Sequence, residues 1–445
     1  MHEFNDKLVI SFLFPPESYV SGITVSKRII ENNEIVDVLQ AKSQANSDFN
    51  DCIDEFVNER ILVDIDCKVD WADCIFKFVK LGINAIEKDY KRIYSRSWLM
   101  ANHFLACEYK FINPDTTWNA EFSDPLIFDL SNNPKSYKQM IIDDEIYIGK
   151  VNSHIIEYND NNNSDFPLIE NNASAYFIAE YLVYLFADKI IFTNENQRKV
   201  MLDQFPIDVS DVVLAKSEIK RHPTLDEKYY HVAQSRLKLN DEYVNIAYFG
   251  GDYYAKRHFE SLFYAFDALN HKYKNKIRLY IFSDDKKLIK GLVSTLSVAD
   301  NIIVKKPLNY LEFLNATTKF DVLLVNDVMT RNSYEINPYL PSKLSDYLGS
   351  NKDIWAISEE GSSLSKSDVK YKSNVYDFKS CGEELVNILK DNGYVDEEYS
   401  FDEYFTKRLT SLNELYENEF RKNLKLKKQL NKLKKEKSNK RFKIF

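Results

Sequence analysis

Two doubly wound α/β domains facing one cleft, followed by a basic helical tail, are the architecture to expect from this sequence. Strand-like and helical patterns alternate along most of the chain, and the alternation restarts near residue 244. Each series opens on a strand followed by a glycine, Gly22 and Gly250. Such alternation argues for parallel sheets with helices on both faces, the Rossmann-like plan. At 445 residues the chain is also too long for one ordinary core.

The first series starts with an apolar strand at 8–14, stopped by Pro15-Pro16, and a helical pattern from Ser21-Gly22 to about Asn32. Short apolar runs at 35–39, 61–65 and 92–95 read as strands. Helical spacing at 100–110, a strand at 118–122, a helix at 174–187, a strand at 189–193 and a helix at 195–204 complete it. The Asn-rich stretch 159–165 reads as a surface loop. Residues 206–240 lack a clean period and carry Pro206 and Pro223, so they read as an interdomain crossing.

The second series has strands at 244–249, 277–282, 301–304, 321–325 and 353–357. Helices are expected between them at 257–270, 286–296, 309–317 and 342–348. The resulting division is a first domain 1–205, the crossing 206–240, a second domain 241–398, a closing helix 399–420 and a tail 421–445.

Composition narrows the class. Apolar residues make up 44% and aromatics 14%, ample for packed interiors. The chain starts without a signal-peptide pattern, and its most apolar stretch, 176–192, is broken by Glu180 and Asp188, so no membrane span is expected. Five scattered cysteines (52, 67, 74, 107, 381) form no C-x-x-C pair and read as reduced thiols of a cytoplasmic protein. The net charge of −9 hides an asymmetry: residues 421–445 hold twelve Lys or Arg against one acid, Glu436. An acidic body with a basic tail is a poor fit to a nucleic-acid-binding protein.

Two motifs carry chemistry. In Asn245-Ile-Ala-Tyr-Phe-Gly-Gly-Asp-Tyr-Tyr-Ala-Lys-Arg257 an apolar strand runs into Gly250 and Gly251, and Lys256 and Arg257 follow; Gly is scarce, 10 in the chain. Glycines let backbone approach a ligand, and the following helix N-terminus with two cations favours a diphosphate. In Asn337-Pro-Tyr-Leu-Pro-Ser-Lys-Leu-Ser-Asp-Tyr-Leu-Gly349, Ser342 is placed to cap a helix, with Lys343 in its first turn. A cation there opposes the helix dipole unless an anion lies beside it. Asp346, one turn on, suits the vicinal hydroxyls of a ribose. The plainer reading is an amphipathic helix with Leu344, Tyr347 and Leu348 inward.

Together, Phe249-Gly-Gly-x4-Lys-Arg257 and Leu340-Pro-Ser-Lys-Leu-Ser-Asp-Tyr-Leu348 resemble the donor-site motifs of GT-B glycosyltransferases, in particular glycosyltransferase family four. Ala187-Asp-Lys-Ile-Ile-Phe-Thr-Asn-Glu-Asn-Gln197 resembles that family's last N-terminal strand and helix, and Glu121-Phe-Ser-Asp-Pro125 an interdomain loop. The resemblance covers most of residues 8–420. It implies a nucleotide-sugar donor held mainly by the C-terminal domain, an acceptor held mainly by the N-terminal one, retention of configuration and no metal or other cofactor. By position, Lys256 or Arg257 would grip the diphosphate, Lys343 would support it, and Asp346 would bind ribose as the second carboxylate of a Glu-x7-Glu element. Gly22, Gly250, Gly251, Ser342 and Leu344 would line the donor site, and Asp124 would face the acceptor or sugar. The first Glu of that element falls at Pro338, with Glu335 and Asn337 the nearest polar substitutes, and Gly251 stands where an Arg is expected.

The implied activity is transfer of a sugar to a glycan or lipid-linked acceptor, as in bacterial surface-polysaccharide or capsule synthesis. The alternative is a non-catalytic partner of the same fold; a nucleotide-sugar epimerase ranks third. Asp64-Ile-Asp66 has the D-x-D form that binds divalent metal in a different glycosyltransferase fold, but it sits in an apolar run. His103 reads as a packed histidine, and no His/Cys spacing suits zinc. In the tail, Leu412, Tyr416, Leu426, Leu430 and Leu433 allow two readings. One is a coiled coil joining subunits; the other, slightly favoured, is a basic helix on an anionic membrane surface at the cytoplasmic face.

Overall fold

The computed structural model describes residues 6–65, 71–250, 257, 259–395 and 403–441. Two compact units emerge. The first comprises residues 1–236, 308–318 and 333–351, and the second residues 237–307, 319–332 and 352–445.

In the first unit the strands are β1 (Lys7–Ile10), β2 (Val36–Ala41), β3 (Val57–Val63), β4 (Arg92–Ser97) and β5 (Thr117–Phe122). A small antiparallel ribbon, β6 (Ile141–Ile142) and β7 (Ala173–Ser174), precedes β8 (Lys189–Phe192) and β9 (Ser217–Ile219). The main sheet is parallel in the order β3-β2-β1-β4-β5-β8-β9. Helices cover both faces, so central strands read as apolar runs; Leu8, Val9 and Ile10 of β1 are fully buried.

Several elements of this unit depart from expectation. The helix Glu145–Asn162 takes in the start of the Asn-rich stretch expected to be loop; it ends only at Asn163, which is left-handed with φ 49°. The helix Ile207–Lys216 and β9 fill the start of the segment expected to be an aperiodic crossing. Pro206 stands just before that helix, where a missing N–H costs nothing. Cys74 is disulfide-bonded, which corrects the expectation of five reduced thiols; Cys52, Cys107 and Cys381 are free.

The second unit holds β10 (Val244–Phe249), β11 (Ile277–Phe282), β12 (Ile302–Lys305), β13 (Val322–Asn326), β14 (Asp353–Ser358) and β15 (Tyr371–Asn374). These form a parallel sheet in the order β12-β11-β10-β13-β14-β15. The closing helix and the tail are continuous, Glu403–Arg441. Leu409 is buried, and Leu412 and Tyr416 pack on the core of this unit, whereas Leu426 is exposed. Among the described residues no helix is long and apolar enough to cross a membrane.

Two helices that follow strands of the second sheet in sequence, Tyr310–Thr317 and Lys343–Leu348, pack within the first unit. Leu311 and Leu314 join a cluster with Ile23, Phe49, Tyr229 and Tyr230, and the Leu311 N–H donates to Asp48 Oδ2 at 2.9 Å.

Candidate functional site

The candidate residues fall into two groups, one in each unit. In the second unit the chain leaves β10 toward β11 and β12, then returns to place β13 on the other side of β10. The strand order reverses between β10 and β13, and open α/β sheets bind ligands at that point, beyond the carboxyl ends. Gly250 follows β10 with φ 136°, a conformation side-chain-bearing residues rarely adopt, and its N–H donates to the Phe282 carbonyl at 2.9 Å. Arg257 is half-buried, and its Nη1 donates to the backbone carbonyl of Asn326, the last residue of β13. A cation is thereby fixed at the carboxyl end of β13. Gly251 and Lys256 lie outside the described residues, as does His258.

Polar side chains that the motif reading missed gather at the same edge. Asn326 is 1% exposed, and neither its Oδ1 nor its Nδ2 has a hydrogen-bond partner. Asp327 Oδ2 accepts the Glu359 N–H at 3.0 Å. Burial pushes the Asp327 carboxyl up to about 7, against the pull of the Ser362 hydroxyl and that N–H. Glu359, just past β14, accepts the Thr330 N–H at 2.7 Å, the Thr330 hydroxyl at 2.8 Å and the Arg331 N–H at 2.9 Å. This carboxylate shapes the loop that follows Asn326. A fixed guanidinium and a glycine turn suit an anion, and an unspent amide stands beside them.

In the first unit Lys343 opens the helix, as expected, but Ser342 does not cap it with its side chain. The helix Lys343–Leu348 has six residues, Ser342 is itself in helical conformation, and its side chain makes no cap. Its carbonyl instead accepts the Ser345 hydroxyl at 2.7 Å. Leu344 and Tyr347 are buried as expected, but Leu348 is 43% exposed. Glu335 is exposed, and Asn337 is buried with Oδ1 accepting the Tyr339 N–H at 2.9 Å.

Asp346 is embedded in contacts that the motif did not announce. Lys27 Nζ donates to Asp346 Oδ1 and to Ser345 Oγ, each at 2.8 Å. The Tyr310 hydroxyl donates to the same Oδ1 at 2.7 Å, and the Tyr230 hydroxyl to the Asp346 carbonyl at 2.5 Å. Burial pulls the Lys27 ammonium below its usual range, against the attraction of Asp346. A local sign existed: Lys27 follows Ile23 by one helical turn and so falls on the apolar face.

Gly22 has a packing reason. A Cβ there would lie 1.9 Å from the Leu13 carbonyl oxygen, so only glycine lets the helix Val20–Asn32 sit against that backbone.

Glu121 lies in the strand expected at 118–122 and opens the segment likened to an interdomain loop; it is the penultimate residue of β5 and fully buried. Arg28 Nε and Arg96 Nε donate to its two oxygens at 3.1 and 3.0 Å, and the Tyr94 hydroxyl at 2.9 Å. Burial raises this carboxyl, but the charges of Arg28 and Arg96 outweigh it and hold it at about 2. The segment after β5, with half-buried Asp124, is pinned by Lys135, which donates to the Pro125 carbonyl at 3.3 Å, and by buried Glu180, which accepts the Leu126 N–H at 3.3 Å. His103 is fully buried with Nδ1 2.8 Å from Ser95 Oγ, and burial lowers it to about 3. Among the described residues no cluster of His, Cys, Asp and Glu could hold a metal ion; Asp66 of the D-x-D lies outside them.

No protein-family model matches the chain, and no curated protein does either. Solved structures do. A sucrose-phosphate synthase from Thermosynechococcus elongatus aligns with a TM-score of 0.55 at 13% identity, over 94% of this chain and 99% of that one. HepE from Anabaena, in complex with UDP and glucose, aligns with a TM-score of 0.52 at 9% identity, over 94% and 99%. An E. coli trehalose-6-phosphate structure bound with UDP-2-fluoro glucose aligns with a TM-score of 0.51 at 11% identity, over 94% and 98%. At such identities the likeness carries the fold, and the fold is of the GT-B class, with two Rossmann-like α/β domains.

Proposed function

We propose that this chain is a nucleotide-sugar-dependent glycosyltransferase whose donor diphosphate lies at the carboxyl edge of the second sheet. The observation that carries this reading is the β10–β13 reversal point, where left-handed Gly250 ends β10 and Arg257 is anchored to the last residue of β13. The similar folds seen with UDP and glucose or a UDP sugar support a uridine donor.

Transfer breaks the bond between the anomeric carbon and the phosphate oxygen, and negative charge gathers on the departing diphosphate. Arg257 stabilises that charge without reorganising, the kind of preorganised donor that is worth about 3–4 kcal/mol in comparable oxyanion sites. The acceptor hydroxyl bonds to the anomeric carbon, and its proton passes to the departing phosphate, so no protein base is required. Retention of configuration and membership of glycosyltransferase family four are supported by the motif resemblance. The acceptor is a glycan or lipid-linked glycan, and the basic residues of 421–445 suit an anionic membrane surface beside it.

The test is release of nucleoside diphosphate from a panel of nucleotide sugars, with and without acceptors. Arg257→Ala should lower turnover at least about tenfold; a variant as fast as wild type removes Arg257 from the site. One observation favours the second reading, a non-catalytic partner: Oδ1 of Asp346, the carboxylate implied for ribose, is already engaged by Lys27 and Tyr310. Calorimetric binding of UDP with no sugar release from any donor would favour that reading.

A further inference from the structure

Asn326 stands apart from the polar groups around it. Asp327 and Glu359 have their carboxylates engaged by backbone N–H and hydroxyl groups, and the Asn326 carbonyl accepts Arg257 Nη1. Asp327 keeps one unpartnered oxygen, Oδ1, but the Asn326 side chain is unspent at both ends, with Oδ1 and Nδ2 unpartnered at 1% exposure. Native chains seldom leave a buried amide unpaired, and a leucine would fill the same volume without that cost. The position is also the one where a ligand is expected: the end of β13, beside Gly250 at the end of β10.

The chemistry of the amide narrows the ligand. Nδ2 offers two donors and Oδ1 accepts. Phosphate oxygens only accept, so a diphosphate would satisfy Nδ2 and strand Oδ1. A hydroxyl both donates and accepts, and neighbouring hydroxyls of a pyranose satisfy both ends of the amide. The diphosphate is already matched by Arg257, one hydrogen bond away.

We propose that Asn326 hydrogen-bonds hydroxyl groups of the donor's sugar and is a specificity-determining residue of the glycosyl-donor site. This rests on the nucleotide-sugar reading above, and it assigns the sugar end that the missing first Glu of the family motif leaves unassigned.

An amide that makes no hydrogen bond in the ligand-free fold can be removed without loss of stability, which separates a ligand contact from a structural one. Asn326→Leu and Asn326→Ala are to be compared with wild type by thermal melting and by calorimetry with UDP, UDP-glucose and UDP-N-acetylglucosamine, and with GDP and GDP-mannose. The expected result is an unchanged or raised melting temperature for Asn326→Leu, affinity for the bare diphosphate within about twofold, and affinity for the matching sugar nucleotide reduced at least about tenfold. Equal weakening of diphosphate and sugar nucleotide would overturn the assignment, as would no weakening of either, or a melting temperature lowered in both variants. A wild type that binds none of these nucleotides overturns the glycosyltransferase reading itself, and this inference with it.

Discussion

Lys27 is 3% exposed, and its ammonium is held by Asp346 and Ser345. Buried ion pairs are expensive to assemble, since both charges leave water, but far more so to halve. Lys27→Met leaves the Asp346 carboxylate with the Tyr310 hydroxyl and, among the described residues, no other ion-pair partner, so the variant should lose about 3–5 kcal/mol of stability. Lys27→Met/Asp346→Leu should recover most of that loss, because the stranded charge goes too. Chemical denaturation of the single and double variants completes the cycle, and additive losses would mean the pair is not coupled. Tyr310→Phe, which removes one neutral donor to a charged acceptor, should cost about 1.5–3 kcal/mol.

The helix Val20–Asn32 carries both Lys27 and Arg28, and Gly22 seats it. With backbone rather than a flexible side chain 1.9 Å from any added Cβ, the clash cannot be relieved by a rotamer change. Gly22→Ala should therefore destabilise by about 1–3 kcal/mol or more, and a melting temperature equal to wild type would show that the helix can slide away freely. Elements of this kind explain what was legible beforehand. The central strands β1, β10, β11 and β13 are largely apolar because they are covered on both faces, so they were readable. The edge strands β9 and β15 carry no such run and were not. The helix Glu145–Asn162 was not, because its polar end looks like loop composition and its capping by Asp144, which accepts the Tyr147 N–H at 2.9 Å, is a single unremarked residue. The candidate site divides the same way. Gly250 and Arg257 announce themselves by glycine scarcity and charge. Asn326 is informative only through partners it lacks, and the Lys27 partner of Asp346 lies 319 residues away in sequence, beyond any spacing rule.

Across the whole molecule, buried carboxyls of opposite tendency set how stability follows pH. Glu121 is held at about 2 by Arg28 and Arg96 once they outweigh burial, so its contribution is present above the usual 4.5 and is lost as pH falls through 2. Glu180 behaves oppositely: burial pushes it up to about 7, against the Tyr184 hydroxyl and the Leu126 N–H. Below pH 4.5 Glu180 is protonated in both folded and unfolded chains and adds no penalty. Between 4.5 and about 7 only the unfolded chain ionises, so folding takes up a proton and stability declines as pH rises. Above that range the buried carboxylate is charged and the penalty stands in full, on the order of 3 kcal/mol. Glu180→Gln removes the charge while keeping an acceptor for the Leu126 N–H and a donor toward the Tyr184 oxygen. Melting the two proteins side by side from pH 4.5 to 8.5, reading the transition of the first unit separately because two units need not unfold together, should give an advantage to Glu180→Gln that is absent at the acidic end and grows steadily toward pH 8. An advantage of the same size at both ends would mean that packing, and not ionisation of Glu180, separates the two proteins.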